Sequence, residues 1–206
     1  MIRLFSRRRD RRRGQGMVEF AILVPAFLIV LFGMLEFGLV FSHHLTLEYA
    51  TREGARVGSA LGNGTEQSPC KQIAGQPEPI DWVVIAAVQR VLTSPGSPVV
   101  MGNVTSIRIY QADTNGNEMP NRANVWLPGG DGKVVDGVPL QFKPTTQQWD
   151  ACTRKKSPIG SADSLGVSLT YDYQSVTPLG LILKLGSGKI SMTDRTVMAL
   201  NPFQDP

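Results

Sequence analysis

The sequence predicts an α+β chain. A long N-terminal helix, transmembrane in its first half and amphipathic in its second, precedes a small antiparallel β-sheet domain with one packed helix. Three observations predict it. Residues 20–41 form an apolar run of 22 residues with Glu36 as their only charge. Residues 80–94, IDWVVIAAVQRVLTS, repeat apolar side chains at helical spacing. Residues 164–175, SLGVSLTYDYQS, alternate, with Leu165, Val167, Leu169, Tyr171 and Tyr173 on one face.

The elements follow in order. Residues 1–14 are a basic leader with seven arginines and one aspartate, a net +6 within a chain of net +4, so the other 192 residues carry about −2. The basic pI therefore belongs to the leader. No basic stripe remains in the rest of the chain, and nucleic acid is not an expected partner. A helix over the 22-residue run covers about 33 Å, enough for a bilayer core. Pro25 near its start is tolerated in a membrane helix. The arginines on one side keep the N-terminus in the cytoplasm and send everything after about Ser42 outside. A cleavable secretory signal would have a shorter apolar core and a small-x-small site. The stretch LVFSHHLTLEYA that follows offers no such site. Glu36 costs ~3 kcal/mol near a helix centre and less toward the interface. It has two readings: a residue at headgroup level, or a polar contact in a helix bundle.

The helix is expected over 15–62. In its second half Ala50, Gly54 and Gly58 recur every fourth residue and put small side chains along one stripe. Glycine is disfavoured against alanine in a solvated helix by about 1 kcal/mol per site. The stripe therefore implies contact, with the chain's own β-domain or with a neighbour. Residues 63–79 read as a linker rich in turn formers. The β-rich domain is expected over 80–206. Its helix has Asp81 as a plausible cap and Trp82, Ile85, Val88 and Leu92 as its apolar face. Strands are expected at VTSIRIYQAD with Ile107 and Ile109 on one face, at RANVWL, at the short VPLQF and at residues 164–175. The last segment, KISMTDRTVMALNP, reads as one strand or a pair carrying Ile190, Met192, Val197 and Ala199. The apolar TPLGLILKLGSG between them reads as a short helix or a loop.

Chemistry is sparse. The two histidines, His43 and His44, are adjacent at the membrane exit and far in sequence from any nucleophile they would serve. There is no G-x-S-x-G elbow, P-loop or dinucleotide fingerprint. Two cysteines are too few for a zinc site. No catalytic residue, cofactor or metal is expected. DTNGNE, residues 113–118, has oxygen side chains at alternate positions, as a calcium loop does, but lacks the following glycine and the distant bidentate glutamate. Asn-Gly between two strand-like runs is the signature of a hairpin turn. Cys70 and Cys152 both lie in the exported part, where an even pair forms disulfides. The alternatives are two free thiols or pairing with another chain.

Gly14 and Glu19 raise the functional question. A peptide cut after Gly14 would make Gln15 the first residue of the mature chain and Glu19 the fifth. A carboxylate in the first turn is stabilised by the helix dipole. It also offers a partner to the new amine of a neighbouring subunit. A cut after Gly16 would leave Glu19 third. The stretches RRGQGMVEFAILVPAFLIVLFGMLEFG and YATREGARVGSA, over roughly residues 11–61, resemble type IV prepilins, and more narrowly the TadE-like minor pilins (pseudopilins) of tight-adherence (Tad/Flp) pilus systems. The closing TDRTVMALNP is similar to the end of such proteins. The resemblance implies processing by a prepilin peptidase at Gly14–Gln15 and assembly through Glu19 and Phe20. Helix packing is expected at Glu36, Ala50, Gly54 and Gly58, and the resemblance implies other pilin subunits and the Tad assembly machinery as partners. The role implied is pilus assembly and adhesion at the cell membrane. Two other readings stay open: a single-pass surface protein with a ligand-binding β-domain, and a secreted enzyme with an uncleaved anchor.

Overall fold

The computed structural model describes residues 12–64, 69–71, 79–130, 132–156, 162–178 and 189–200. The chain divides into two compact units, Met1–Leu39 with Ser175–Gly188, and Val40–Gln174 with Lys189–Pro206. The basic leader up to residue 11, most of the linker, and residues 179–188 of the apolar TPLGLILKLGSG lie outside the described residues.

Helix α1 (Arg12–Leu61) contributes its first part to the first unit and carries Pro25 within it. It is long and apolar enough to cross a membrane, and its most apolar stretch is not buried in the protein.

In the second unit the later part of α1 buries His43, Leu47, Ala50, Thr51, Gly54 and Gly58. Each lies three or four residues from another of the set, and together they form one helical face. The helix stops at Gly62, whose φ of +59° is left-handed. Its N–H returns to the Gly58 carbonyl at 2.9 Å, the usual glycine cap of a helix C-terminus. Helix α2 (Ile80–Leu92) follows. Its expected apolar face holds, with Ile85, Val88 and Leu92 buried and Trp82 half-buried. The buried face is wider than four residues, because Val84, Ala86, Ala87 and Gln89 are buried too.

The sheet has five strands: β1 (Val104–Ala112), β2 (Glu118–Pro128), β5 (Phe142–Gln147), β6 (Ser164–Gln174) and β7 (Lys189–Ala199). Their order is β5-β2-β1-β6-β7, and every pairing is antiparallel. A separate ribbon pairs β3 (Val134–Val135) with β4 (Val138–Pro139). Its turn, Asp136-Gly137, has φ of 48° and 76°, positive at both central residues as a two-residue hairpin requires. Leu165, Val167, Leu169, Tyr171 and Tyr173 of β6 are all buried. They share one core with Ile107 and Ile109 of β1, Leu47 and Ala50 of α1, and Ile85 and Val88 of α2.

Two expectations need correction. VPLQF is not one strand: Val138–Pro139 pairs with β3, while Phe142 begins β5. The Gln89 side chain takes up the break, donating to the Pro139 carbonyl at 2.7 Å and accepting from the Gln141 N–H at 2.8 Å. Of the two readings of the final segment, the single strand holds, and its apolar residues divide between two faces. Met192 and Ile190 lie opposite Tyr171 and Tyr173, whereas Val197 joins Tyr110, Ala112 and Ala123 on the other face. Asp81 does not cap α2. The cap position is Pro79, without a side-chain hydrogen bond, and the Asp81 carboxylate points into the protein.

The turn between β1 and β2 is a hairpin, as the Asn-Gly signature predicts. The Asp113 carboxylate accepts from the N–H groups of Asn115 and Asn117, each at 2.8 Å. These bonds, with that to Asn117 foremost, hold its carboxyl below the ordinary aspartate range. The turn's own backbone thus takes up the Asp113 carboxylate, and Arg195 donates to the Asn117 side-chain oxygen at 3.1 Å. Across the strands, Tyr110 donates its hydroxyl to the Gly116 carbonyl at 3.3 Å. Burial raises the pKa of that phenol.

Candidate functional site

The first candidate is the start of α1. Gly14 and Gly16 have open space around them, with nothing within 4 Å of where a Cβ would stand. The Gln15 side chain donates to Glu19 Oε1 at 3.1 Å, one helical turn on. Phe20 is 69% exposed. From Met17 to Phe41 the large apolar side chains point outward on all sides of the helix. An apolar surface of this length needs lipid or other apolar helices around it. Glu36, further along, accepts two backbone N–H groups, from Val176 at 3.2 Å and Thr177 at 3.0 Å.

The stripe at Ala50, Gly54 and Gly58 is covered within the chain. A Cβ on Gly54 would stand 2.5 Å from Val88 Cγ2 and 3.3 Å from Val167 Cγ1. One on Gly58 would stand 2.9 Å from Leu165 and 3.3 Å from Val84. The two glycines therefore mark where α1, α2 and β6 meet at backbone distance. Beside them Thr51, fully buried, hydrogen-bonds Asp194 and, at 3.0 Å, Thr196 of β7. Gly54→Val is expected to lower the unfolding free energy by about 1–3 kcal/mol, since valine adds bulk where none fits. Thermal unfolding of the full chain checks it. An unchanged midpoint would contradict this packing.

The second candidate is a polar knot at the start of α2. Asp81 and Arg154 form an ion pair, with Nη2 at 2.7 Å from Oδ1 and 2.9 Å from Oδ2. Both residues are buried. Asn124 of β2 donates to Asp81 at 2.6 Å and to the Trp149 carbonyl at 2.8 Å, and accepts from the Trp149 N–H at 2.8 Å. The Arg154 guanidinium lies 4.3 Å over the Trp149 ring. A disulfide joins Cys70 and Cys152, with Cα atoms 5.0 Å apart. Nearby, Trp82 meets Trp126 edge to face at 4.7 Å, and the Lys133 ammonium sits 4.0 Å over Trp82. A cleft of about 440 Å³ opens here, lined among others by Cys70, Trp82, Asn124, Gln147 and Trp149. Trp126 and Trp149 are each 1% exposed, so their faces serve packing. The knot ties α2, β2 and the turn Ala151–Thr153 together. Among the described residues no group of three or more His, Cys, Asp or Glu side chains stands together to hold a metal. His43 is buried between the rings of Tyr171 and Tyr173, at 5.6 and 5.0 Å.

Residues 14–56 match the family model of the TadE-like proteins. Over these residues the N-terminal helix is similar to the TadE-like proteins. The match starts at Gly14, the candidate processing residue, and takes in Glu19, Phe20, Glu36, Ala50 and Gly54. It leaves out Gly58 and the β-domain from α2 onward. No curated protein and no solved structure matches the chain. Helix α1 thus has two surfaces: one of apolar side chains pointing outward before Leu39, and one of small residues closed by α2 and β6 after Val40. Sequence reasoning missed the Asp81–Arg154–Asn124 knot, whose members lie 43 and 73 residues apart along the chain. The local signal was a carboxylate directly before the apolar run Trp82–Val88 of α2.

Proposed function

We propose that the chain is a membrane-anchored, pilin-like structural protein of a Tad-type pilus apparatus that contributes to pilus assembly and adhesion. The single observation that carries this reading is the TadE-like match over residues 14–56. Its first residue stands where the arginine-rich leader gives way to the apolar run. In this reading residues 1–14 are a cytoplasmic leader and 15–62 the helix that anchors the chain, followed by the linker at 63–79. Residues 80–206 form a β-domain outside the membrane, as the arginine bias favours.

A prepilin peptidase cuts between Gly14 and Gln15, and the open surroundings of Gly14 suit access by an enzyme. The freed amine of Gln15 is a cation at the helix N-terminus. Glu19 of a neighbouring subunit neutralises it in a low-dielectric helix bundle, where such pairs are strong. Phe20 and the exposed apolar residues after it pack against neighbouring pilin helices. With its TadE-like helix as assembly element, the chain needs no catalytic group.

Glu19→Ala is the variant that isolates assembly from folding. Glu19 is exposed and its hydrogen bond is local, to Gln15, so the β-domain keeps its unfolding midpoint. Recovery of the protein in sheared surface fibres, or of the fibres themselves, falls at least about tenfold, equivalent to ~1.4 kcal/mol or more of lost subunit contact. Fibre recovery equal to the parent chain would contradict the assembly role of Glu19.

A further inference from the structure

The connection between β6 and β7 reaches back to the membrane helix. We propose that its described start, residues 175–178, is a second membrane-contacting element, tethered through its backbone to Glu36 and seated in the lipid boundary. The proposal rests on reading residues 20–41 as membrane-spanning.

Glu36 lies five residues before the end of that run at Phe41, a depth of about 7.5 Å along the helix. Helical side chains tilt toward the N-terminus. That tilt carries this carboxylate further from the near end of the run, so it is poorly placed to reach bulk water on its own. Its oxygens instead accept the N–H groups of Val176 and Thr177, 140 and 141 residues away in sequence. Two hydrogen-bond lengths therefore fix the depth of these residues at that of Glu36. Irregular backbone is tolerated at such depth only where its polar groups find partners, and Glu36 supplies two. The Ser175 hydroxyl closes the turn on the Thr177 carbonyl at 3.2 Å. Val176 turns its side chain outward, 74% exposed. An exposed valine at this depth faces acyl chains. The sequence argues for lipid as the occupant: residues 175–183, SVTPLGLIL, contain no charged side chain. The β-domain is then held to the bilayer at two points of the chain.

The test uses full-length protein in liposomes. Cys70 and Cys152 are joined to each other, so a single introduced cysteine takes an environment-sensitive fluorophore. Labels go at Val176→Cys, at Leu28→Cys as a reference inside the span, and at Asn115→Cys as a reference on the β1–β2 turn. Quenching by nitroxide-bearing lipids is compared with quenching by aqueous iodide. We expect the labels at 176 and 28 to be quenched by lipid nitroxides and shielded from iodide, and the label at 115 to behave oppositely. Adding Glu36→Ala to the 176 variant raises iodide quenching several-fold, while circular dichroism keeps its helix signal. Iodide access at 176 equal to that at 115, with 28 still in lipid, overturns the proposal alone. A label at 28 open to iodide overturns the spanning reading and the proposal with it. Unchanged quenching at 176 on Glu36→Ala overturns the tether.

Discussion

Arg154→Ala lowers the stability of the β-domain by about 3–5 kcal/mol, the usual cost of stranding a buried charge. The Asp81 carboxylate loses its counter-ion in a site where water is scarce, and Asn124 alone remains to bond it. The Trp149 ring also loses the guanidinium that covers it. The pair itself is not the source of net stability. Taking two charges out of water offsets most of what their attraction returns. Asp81→Leu with Arg154→Met is therefore expected to sit far closer to the parent than either single change. Tryptophan emission during thermal or denaturant unfolding reads this well, because Trp82 and Trp149 line the cleft at the knot. A single variant as stable as the parent would mean that the pair is not closed in solution.

Cys70→Ser with Cys152→Ser gives the other large loss. The bridge closes a loop with a sequence separation of 82. The chain-entropy model assigns such a loop about 4–5 kcal/mol, through the freedom it removes from the unfolded chain. The bridge also holds the segment around Cys70 against the turn Ala151–Thr153, beside the polar knot. Its removal and Arg154→Ala should therefore couple, because neighbouring sites that share a support do not add. A reductant reproduces the double variant's lowered midpoint in the parent and leaves the variant itself unchanged. Equal midpoints for parent and double variant would contradict the account.

Much of the fold could be read from local pattern. β6 alternates because one of its faces meets both helices, so its period of two is undiluted. The β1–β2 hairpin announced itself through Asn115-Gly116 and the acceptor Asp113. What failed was non-local or short. The β3–β4 ribbon has two residues a side, too few for a period, though Asp136-Gly137 was its available signal. Asp81 looked like a cap because carboxylates favour first turns. Its partners come from β2 and from beyond β5, and no window of sequence holds all three. β7 was readable as a strand but offered no single apolar face, because Met192 on one face and Val197 on the other are both apolar, while Asp194 faces inward to bond Thr51. On the candidate site, the stripe at Ala50, Gly54 and Gly58 was readable as contact from its glycines. Which surface it met, Val84 and Val88 of α2 and Val167 and Leu165 of β6, depended on packing. Glu36 was readable as a cost, and its partners 140 residues on were not.

The functional account turns on whether the leader is removed. A helix that stays joined to its arginines would serve as an anchor alone. One that begins at Gln15 would carry the free amine that, in the proposed assembly role, Glu19 of an adjoining subunit neutralises. The measurement that decides it is the N-terminal sequence and intact mass of the membrane-extracted chain, from cells with and without their prepilin peptidase. The account predicts a chain beginning at Gln15 only when the peptidase is present, lighter by the mass of residues 1–14. A chain that begins at Met1 or Ile2 in both cells would contradict it, and would leave an anchored surface protein with its own β-domain as the better description.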